Sequence, residues 1–129
     1  MTIVQPDGWK RPRGYSNAVA ASGRHIYLAG QIGWNEREEL LSADFAEQTA
    51  QALRNVVAVL HAAGASAEHL VRMTWYVTDK REYAANASRI GELYREIVGP
   101  FYPAMTLVQV ADLLEEGAKV EIEATAVVP

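Results

Sequence analysis

The chain has 129 residues, with 12 Lys and Arg against 16 Asp and Glu and no Cys. A single domain with one hydrophobic core is expected at this length, and such a core is stable without metal or disulfide staples. Without cysteine, disulfide frameworks, thiolate nucleophiles and Cys-held zinc or iron–sulfur centres are excluded. A net charge of −4 has the wrong sign for a domain whose affinity comes from neutralising phosphates.

No stretch approaches the roughly 20 apolar residues of a membrane span, and Met1–Asp7 has no basic region followed by an apolar one. The expected address is cytoplasmic, with neither nucleic acid nor membrane as partner. Residues 1–14, rich in Pro, Gly and charge, read as a surface arm of the single domain spanning 1–129. Its concentrated feature is Trp9-Lys10-Arg11-Pro12-Arg13-Gly14, either a grip for an anionic ligand or a solvated flank. Asn17–Ala21 and His25–Gln31 are short apolar stretches separated by Ser22-Gly23-Arg24, a pattern that predicts a β-hairpin. Gly30 and Gly33 match neither a Walker loop nor a dinucleotide fingerprint.

Ser42 is the predicted N-cap of a helix whose buried stripe runs through Phe45, Thr49, Leu53, Val56 and Leu60, with Gly64 as its C′ residue. Val71–Val77 alternates with period two and is dense in β-formers, which predicts a strand. Tyr83, Ala87, Ile90, Tyr94 and Ile97 form a second helical stripe stopped by Gly99-Pro100. Met105–Ala111 and Lys119–Val127 complete the strands, and the Asp112–Gly117 connection makes them expected antiparallel neighbours. The order ββαβαββ implies an α+β domain with its helices on one face of the sheet.

Side-chain alternation assigns the faces of the last strand: Val120, Ile122, Ala124 and Ala126 share one, and Glu121, Glu123 and Thr125 share the other. Both faces of the Met105–Ala111 strand carry apolar groups, and helices cover only one, so a homo-oligomer is expected. Glu121 and Glu123 are open to two readings. They are an exposed polar face, or one of them is a general acid–base facing a half-buried cleft, where the pKa is raised. The histidines His25, His61 and His69 lie on three different elements with no His-Glu-x-x-His spacing, so no metal site is expected. A Gly-x-Ser-x-Gly elbow is likewise absent.

Four short runs, in this order and spacing, resemble the RidA/YjgF family of imine and enamine deaminases. They are Tyr15-Ser16-Asn17-Ala18-Val19, Ile26–Ile32, Tyr102-Pro103-Ala104 and Val120–Ala126. The resemblance covers the chain from about Tyr15 to Val127. It implies a chorismate-mutase-like fold, a mixed six-stranded sheet with two helices on one face, and a homotrimer with metabolite clefts between subunits. It also implies hydrolytic deamination without cofactor or metal. On this likeness Glu121 positions the attacking water, and Tyr15 and the backbone around Ala29, Gly30 and Gln31 line the substrate cleft; Trp34 and Met105 are expected to set the shape of that pocket.

One departure stands at the residue after the Pro-Ala pair, where deaminases of the family carry an Arg that holds the substrate carboxylate. Here it is Met105, a neutral thioether that cannot anchor a carboxylate. Leu107 stands where many members have Cys, and Asn86 lies one position from the helix Asn of some members. Three consequences are open: a replacement cation from Arg11, Arg13 or Lys119; a larger or less charged imine or enamine substrate, such as an aminomuconate-type ring-cleavage product; or metabolite binding without catalysis. Ribonuclease activity, attached historically to relatives, conflicts with the acidic balance and the lack of a basic-aromatic face.

Overall fold

The computed structural model describes the whole chain, Met1–Pro129. Six strands form, β1 (Thr2–Val4), β2 (Ala18–Ala20), β3 (Arg24–Ile32), β4 (Leu70–Val77), β5 (Ala104–Gln109) and β6 (Val120–Val128). The helices are α1 (Phe45–Ala62), α2 (Lys80–Ala85) and α3 (Ala87–Ile97), and a single 3-10 turn, Ala67–His69, leads into β4. Four strands hydrogen-bond in the order β3-β6-β4-β5, with β6 antiparallel to both its neighbours and β4 parallel to β5. The β1–β2 pair is an antiparallel ribbon, joined to this mixed sheet by a bridge between Ser16 and Ala104. There the Ser16 N–H donates to the Pro103 carbonyl at 3.0 Å and its hydroxyl to the Tyr102 carbonyl at 2.6 Å.

Two expected pairings are corrected. The stretches before and after Ser22-Gly23 do not form a hairpin with each other: β2 pairs with β1, and β3 pairs with β6. At Gly23 the backbone has φ +146° and lies so close to the Val128 carbonyl that a β-carbon would collide with it. The chain therefore passes straight onto the end of β6 instead of folding back. Nor are β5 and β6 neighbours, because residues 78–103, carrying α2 and α3, form the long crossover that parallel pairing of β4 and β5 requires. The last strand then enters the slot between β3 and β4.

The first helix starts two residues later than its predicted cap, for Asp44 and not Ser42 accepts from the Glu47 N–H, at 2.9 Å. Ser42 supports that cap from outside, accepting from the Asp44 N–H at 3.0 Å and donating to the Glu47 carboxylate at 2.5 Å. Gly64 follows the C-cap at φ +76°, and Arg24 donates to the Ala63 carbonyl at 2.9 Å. The second helical stripe is interrupted at Asn86, whose φ of −107° and ψ of 9° leave the helical region and separate α2 from α3.

Leu53, Val56 and Leu60 of α1, Ile90 and Tyr94 of α3, and Met73, Trp75, Val77, Val120 and Ile122 of the sheet meet in one cluster. The helices lie on this face, as expected. Inside it Tyr94 stacks on Tyr102 and donates to the Phe101 carbonyl at 2.5 Å.

Gln48 is the one fully buried amide that ties α1 to the approach of β6. Its Nε2 donates to the carbonyls of Ser42 (2.9 Å) and Gly117 (3.0 Å), and its Oε1 accepts from the Lys119 N–H at 2.8 Å. Leucine has nearly the same volume and none of these bonds. Gln48→Leu is expected to destabilise the protein by about 2–4 kcal/mol in urea unfolding, because buried backbone groups lose their partners. A loss below about 1 kcal/mol would mean that those groups find other partners.

Candidate active site

The sheet has one face under the helices and one face open, and the alternation along β6 distributes side chains between them as expected. Val120, Ile122, Ala124 and Ala126 are buried, while Glu121, Glu123 and Thr125 are half-buried on the open side. The register places Tyr76 opposite Glu121, Thr74 opposite Glu123 and Arg72 opposite Thr125. The open face thus collects two carboxylates, a phenol and a guanidinium. A shallow hollow of about 200 Å³ lies on it, bordered by Tyr27, Arg72, Thr74, Glu123 and Thr125.

Glu123 accepts from the Tyr76 hydroxyl at 2.6 Å. That bond favours the neutral phenol and raises the Tyr76 pKa above the ordinary tyrosine value, with desolvation and then the charges of Glu123 and Glu121 adding to it and Arg72 opposing. Glu121 has a different neighbour. The β3–β6 register shifts between Leu28 and Gln31, and the irregularity brings Gly30 against the Glu121 carboxylate so closely that a β-carbon there would collide with it. Gly30 is thus required by a carboxylate far away in the chain, as bulge glycines that admit close neighbours are. Next to it, the Gln31 amide donates to the Ala29 carbonyl at 3.2 Å.

Among the residues singled out in the sequence, Ala29, Gly30, Gln31 and Glu121 come together where β3 meets β6. Trp34 lies just beyond β3, bridged to Leu40, with its carbonyl held by the Asn55 side chain at 2.8 Å. Met105 is not in this group. It pairs with Met73 and packs against the buried cluster, so its side chain is on the helix face, across the sheet from Glu121. Tyr15 is exposed and adjoins Ser16, whose bridge to Ala104 sets it near the Met105 end of β5. The candidate residues therefore fall into two separate groups on the chain.

Of the cations considered as replacements, Lys119 is engaged by Glu82 at 3.3 Å. Arg11 and Arg13 are exposed on the arm. Sequence reasoning passed over Arg72 and Tyr76, although the period-two alternation of β4 carried the signal that both share the face of Glu121. No three His, Asp or Glu side chains converge as a metal site, and no helix is long and apolar enough to cross a membrane.

Mixed strand order, a helix-covered face and a carboxylate-bearing open face define the class: an α+β domain that presents two carboxylates from the open face of a sheet. Comparison with known proteins narrows it. The family model described as Endoribonuclease L-PSP matches residues 9–128. A human 2-iminobutanoate/2-iminopropanoate deaminase is 35% identical over 114 residues, covering 88% of this chain and 79% of that protein. The crystal structure of YyfB, a Rid-family protein of Yersinia pestis, superposes with a TM-score of 0.85 at 34% identity, covering 98% of each chain. The YjgF gene product of E. coli gives a TM-score of 0.71 at 34% identity over 88% of this chain and 87% of that one. The chain belongs to the RidA/YjgF family, formerly called endoribonuclease L-PSP. Its kinship with deaminases supports enzymatic activity of the imine or enamine deaminase type at the level of the family.

The Tyr76–Glu123 bond sets a titration. Glu123→Gln is expected to bring the Tyr76 pKa down toward the ordinary tyrosine value, and Glu121→Gln to lower it by less, because only Glu123 both accepts the phenol proton and adds charge. Ultraviolet difference titration of the two variants measures this, and an equal shift in both would put the cause in charge alone.

Proposed function

We propose that the protein is a hydrolytic imine or enamine deaminase working as a homotrimer, and that its substrates are not the small 2-imino acids of its relatives. What supports this reading is Glu121, half-buried on the open face with its carboxylate against Gly30, together with a neutral Met105 at the position where, by the resemblance, deaminases of the family carry a carboxylate-binding Arg. Opposite faces of one sheet hold the two residues, so a cleft that uses both requires a second subunit. A trimer with clefts between subunits meets that requirement.

In the proposed reaction the Glu121 carboxylate accepts a proton from water as the water oxygen bonds to the imine carbon. The C=N π electrons move to nitrogen, which takes up a proton, and a carbinolamine forms. In the collapse the carbinolamine hydroxyl gives its proton to solvent, replacing the one that nitrogen took up from solvent, its oxygen lone pair closes to C=O, and ammonia leaves carrying the proton first taken by Glu121. Imine and water thus give carbonyl compound and ammonia, with no redox change and no cofactor. Tyr15 and Gln31 bind the polar end of the substrate, and Trp34 and Met105 act as apolar walls. Ammonia-release kinetics on a panel of imines and enamines test the reading.

Turnover of 2-iminobutyrate and 2-iminopropionate is expected to be slow. Loss of one partner of a desolvated charge pair costs about 2–5 kcal/mol, roughly thirtyfold to several-thousandfold. Met105→Arg is expected to recover much of that factor, and Glu121→Gln to remove turnover of whatever substrate is found. Fast turnover of the 2-imino acids by the unaltered protein would overturn the role given to Met105. Absence of turnover across the panel, with ligand affinity unchanged in Glu121→Gln, would replace deamination by metabolite binding without catalysis. Sedimentation at the mass of one chain would remove the shared cleft, and at the mass of two chains would replace the trimer by a dimer.

A further inference from the structure

A second hollow, of about 370 Å³, lies on the helix side of the protein between the Gly33–Ser42 loop, α1 and α3. That is the scale of a small-metabolite site. Its polar lining includes Gln51 and Arg54 of α1 and Arg89 of α3, and Leu41, Ala50 and Leu93 supply an apolar floor. Glu47, Ala50, Gln51 and Arg54 recur at three- and four-residue steps, so one stripe of α1 faces it, and Arg89 and Leu93 are one turn apart on α3.

The partners of its charges decide what it can accept. Arg89 is paired with Asp44 at 3.3 Å, and Asp44 also caps the Glu47 N–H. The Glu47 carboxylate takes the Ser42 hydroxyl. Each acid at the rim is therefore already engaged. Glu47 and Arg54 enter none of the chain's four ion pairs; the Glu47 carboxylate is turned to the Ser42 hydroxyl, whereas the Arg54 guanidinium has no partner and is free to take an anion. A planar fork of this kind suits a carboxylate held by two parallel bonds. We propose that the hollow is a binding site for a small organic carboxylate, its charged end held by Arg54 with Arg89 behind it and its short apolar body lying on Leu41, Ala50 and Leu93.

The site is separate from the Glu121 face, yet one bond chain leads from it toward that face. Gln51 donates to Asn55 at 2.9 Å, and Asn55 donates to the carbonyls of Ile32 (3.1 Å) and Trp34 (2.8 Å). A ligand that engages Gln51 thus bears on the groups that fix the Trp34 backbone.

Titration of the full-length protein with hexanoate, followed by amide and side-chain NMR shifts, tests the assignment, with hexanamide and inorganic phosphate as companion probes. Hexanoate is expected to shift Arg54, Leu93 and the side-chain amides of Gln51 and Asn55, and Arg54→Gln to weaken its binding at least tenfold. Arg54 is an exposed helix residue, so that variant is expected to fold as the parent does. Hexanamide binding as tightly as hexanoate would remove the charge requirement, and phosphate binding as tightly would remove the apolar floor. Either result overturns the proposal, as do unchanged affinity in Arg54→Gln and shifts confined to the Glu121 face. None of these outcomes bears on deamination, which is read from ammonia release.

Discussion

Strand β6 has β3 on one side and β4 on the other, so each of its side chains goes either to the helices or to the open face. Val120, Ile122, Ala124 and Ala126 take the covered side and are at most 5% exposed. That packing leaves Glu121 and Glu123 no alternative to the open face. A slip of one residue would bury both carboxylates under α1 and expose the apolar series, a change the core cannot accommodate. The position of Glu121 is therefore a by-product of core packing, and its rigidity comes from the strand and not from a loop. In the role proposed for Glu121, a side chain mounted on such an element keeps its geometry without further ordering on ligand binding.

The same alternation separates Met105 from Glu121. On β5, Met105 and Leu107 align with Met73 and Trp75 and turn toward the helices, while Thr106 and Val108 face out. Side chains on opposite faces of one sheet cannot enclose one small molecule, whatever their rotamers. Charge adds to this. The open face holds Glu121 and Glu123 against Arg72, and a surface with a surplus of acid suits a neutral or cationic ligand better than an anionic one. The direction of that preference agrees with a thioether at position 105. It comes from the opposite side of the sheet, so the two arguments are independent.

What could be read in the sequence divides along a physical line. Facial assignments were legible, because burial leaves a period in the local sequence: two in β6, and three to four in α1 and α3. Gly64 and Gly99 marked helix ends for a similarly local reason, each adopting a positive φ. Strand partners were not legible, since no periodicity within Ala18–Ala20 or Met105–Gln109 records which other strand lies beside it. The hairpin and the β5–β6 pairing failed on that ground. Small displacements such as the cap at Asp44 came from competition between similar residues two positions apart. The Gly30–Glu121 contact is of a third kind: the glycine was visible, but the carboxylate that makes it necessary is brought in only by the sheet register. Open-face neighbours such as Arg72 and Tyr76 were legible in principle, yet their meaning depended on knowing that β4 and β6 are adjacent.

Asn55 shows how the two sides of the molecule are mechanically joined. It sits on α1, within the helix layer, and spends both amide hydrogens on the Ile32 and Trp34 carbonyls as the chain leaves β3. Gly33, between those two residues, packs directly on the backbone of Gln48, where a β-carbon would not fit. Gln48 in turn holds the residues that enter β6 through Gly117 and Lys119. The end of β3 and the start of β6, which together present Ala29, Gly30, Gln31 and Glu121, are thus both anchored to one stretch of α1. Their spacing is set by this helix together with the pairing of Gln31 with Ile122 and of Ile32 with Glu121, which resumes after the register shift at Leu28. Rigid support from behind is what permits an irregular strand end to hold a carboxylate in a fixed position.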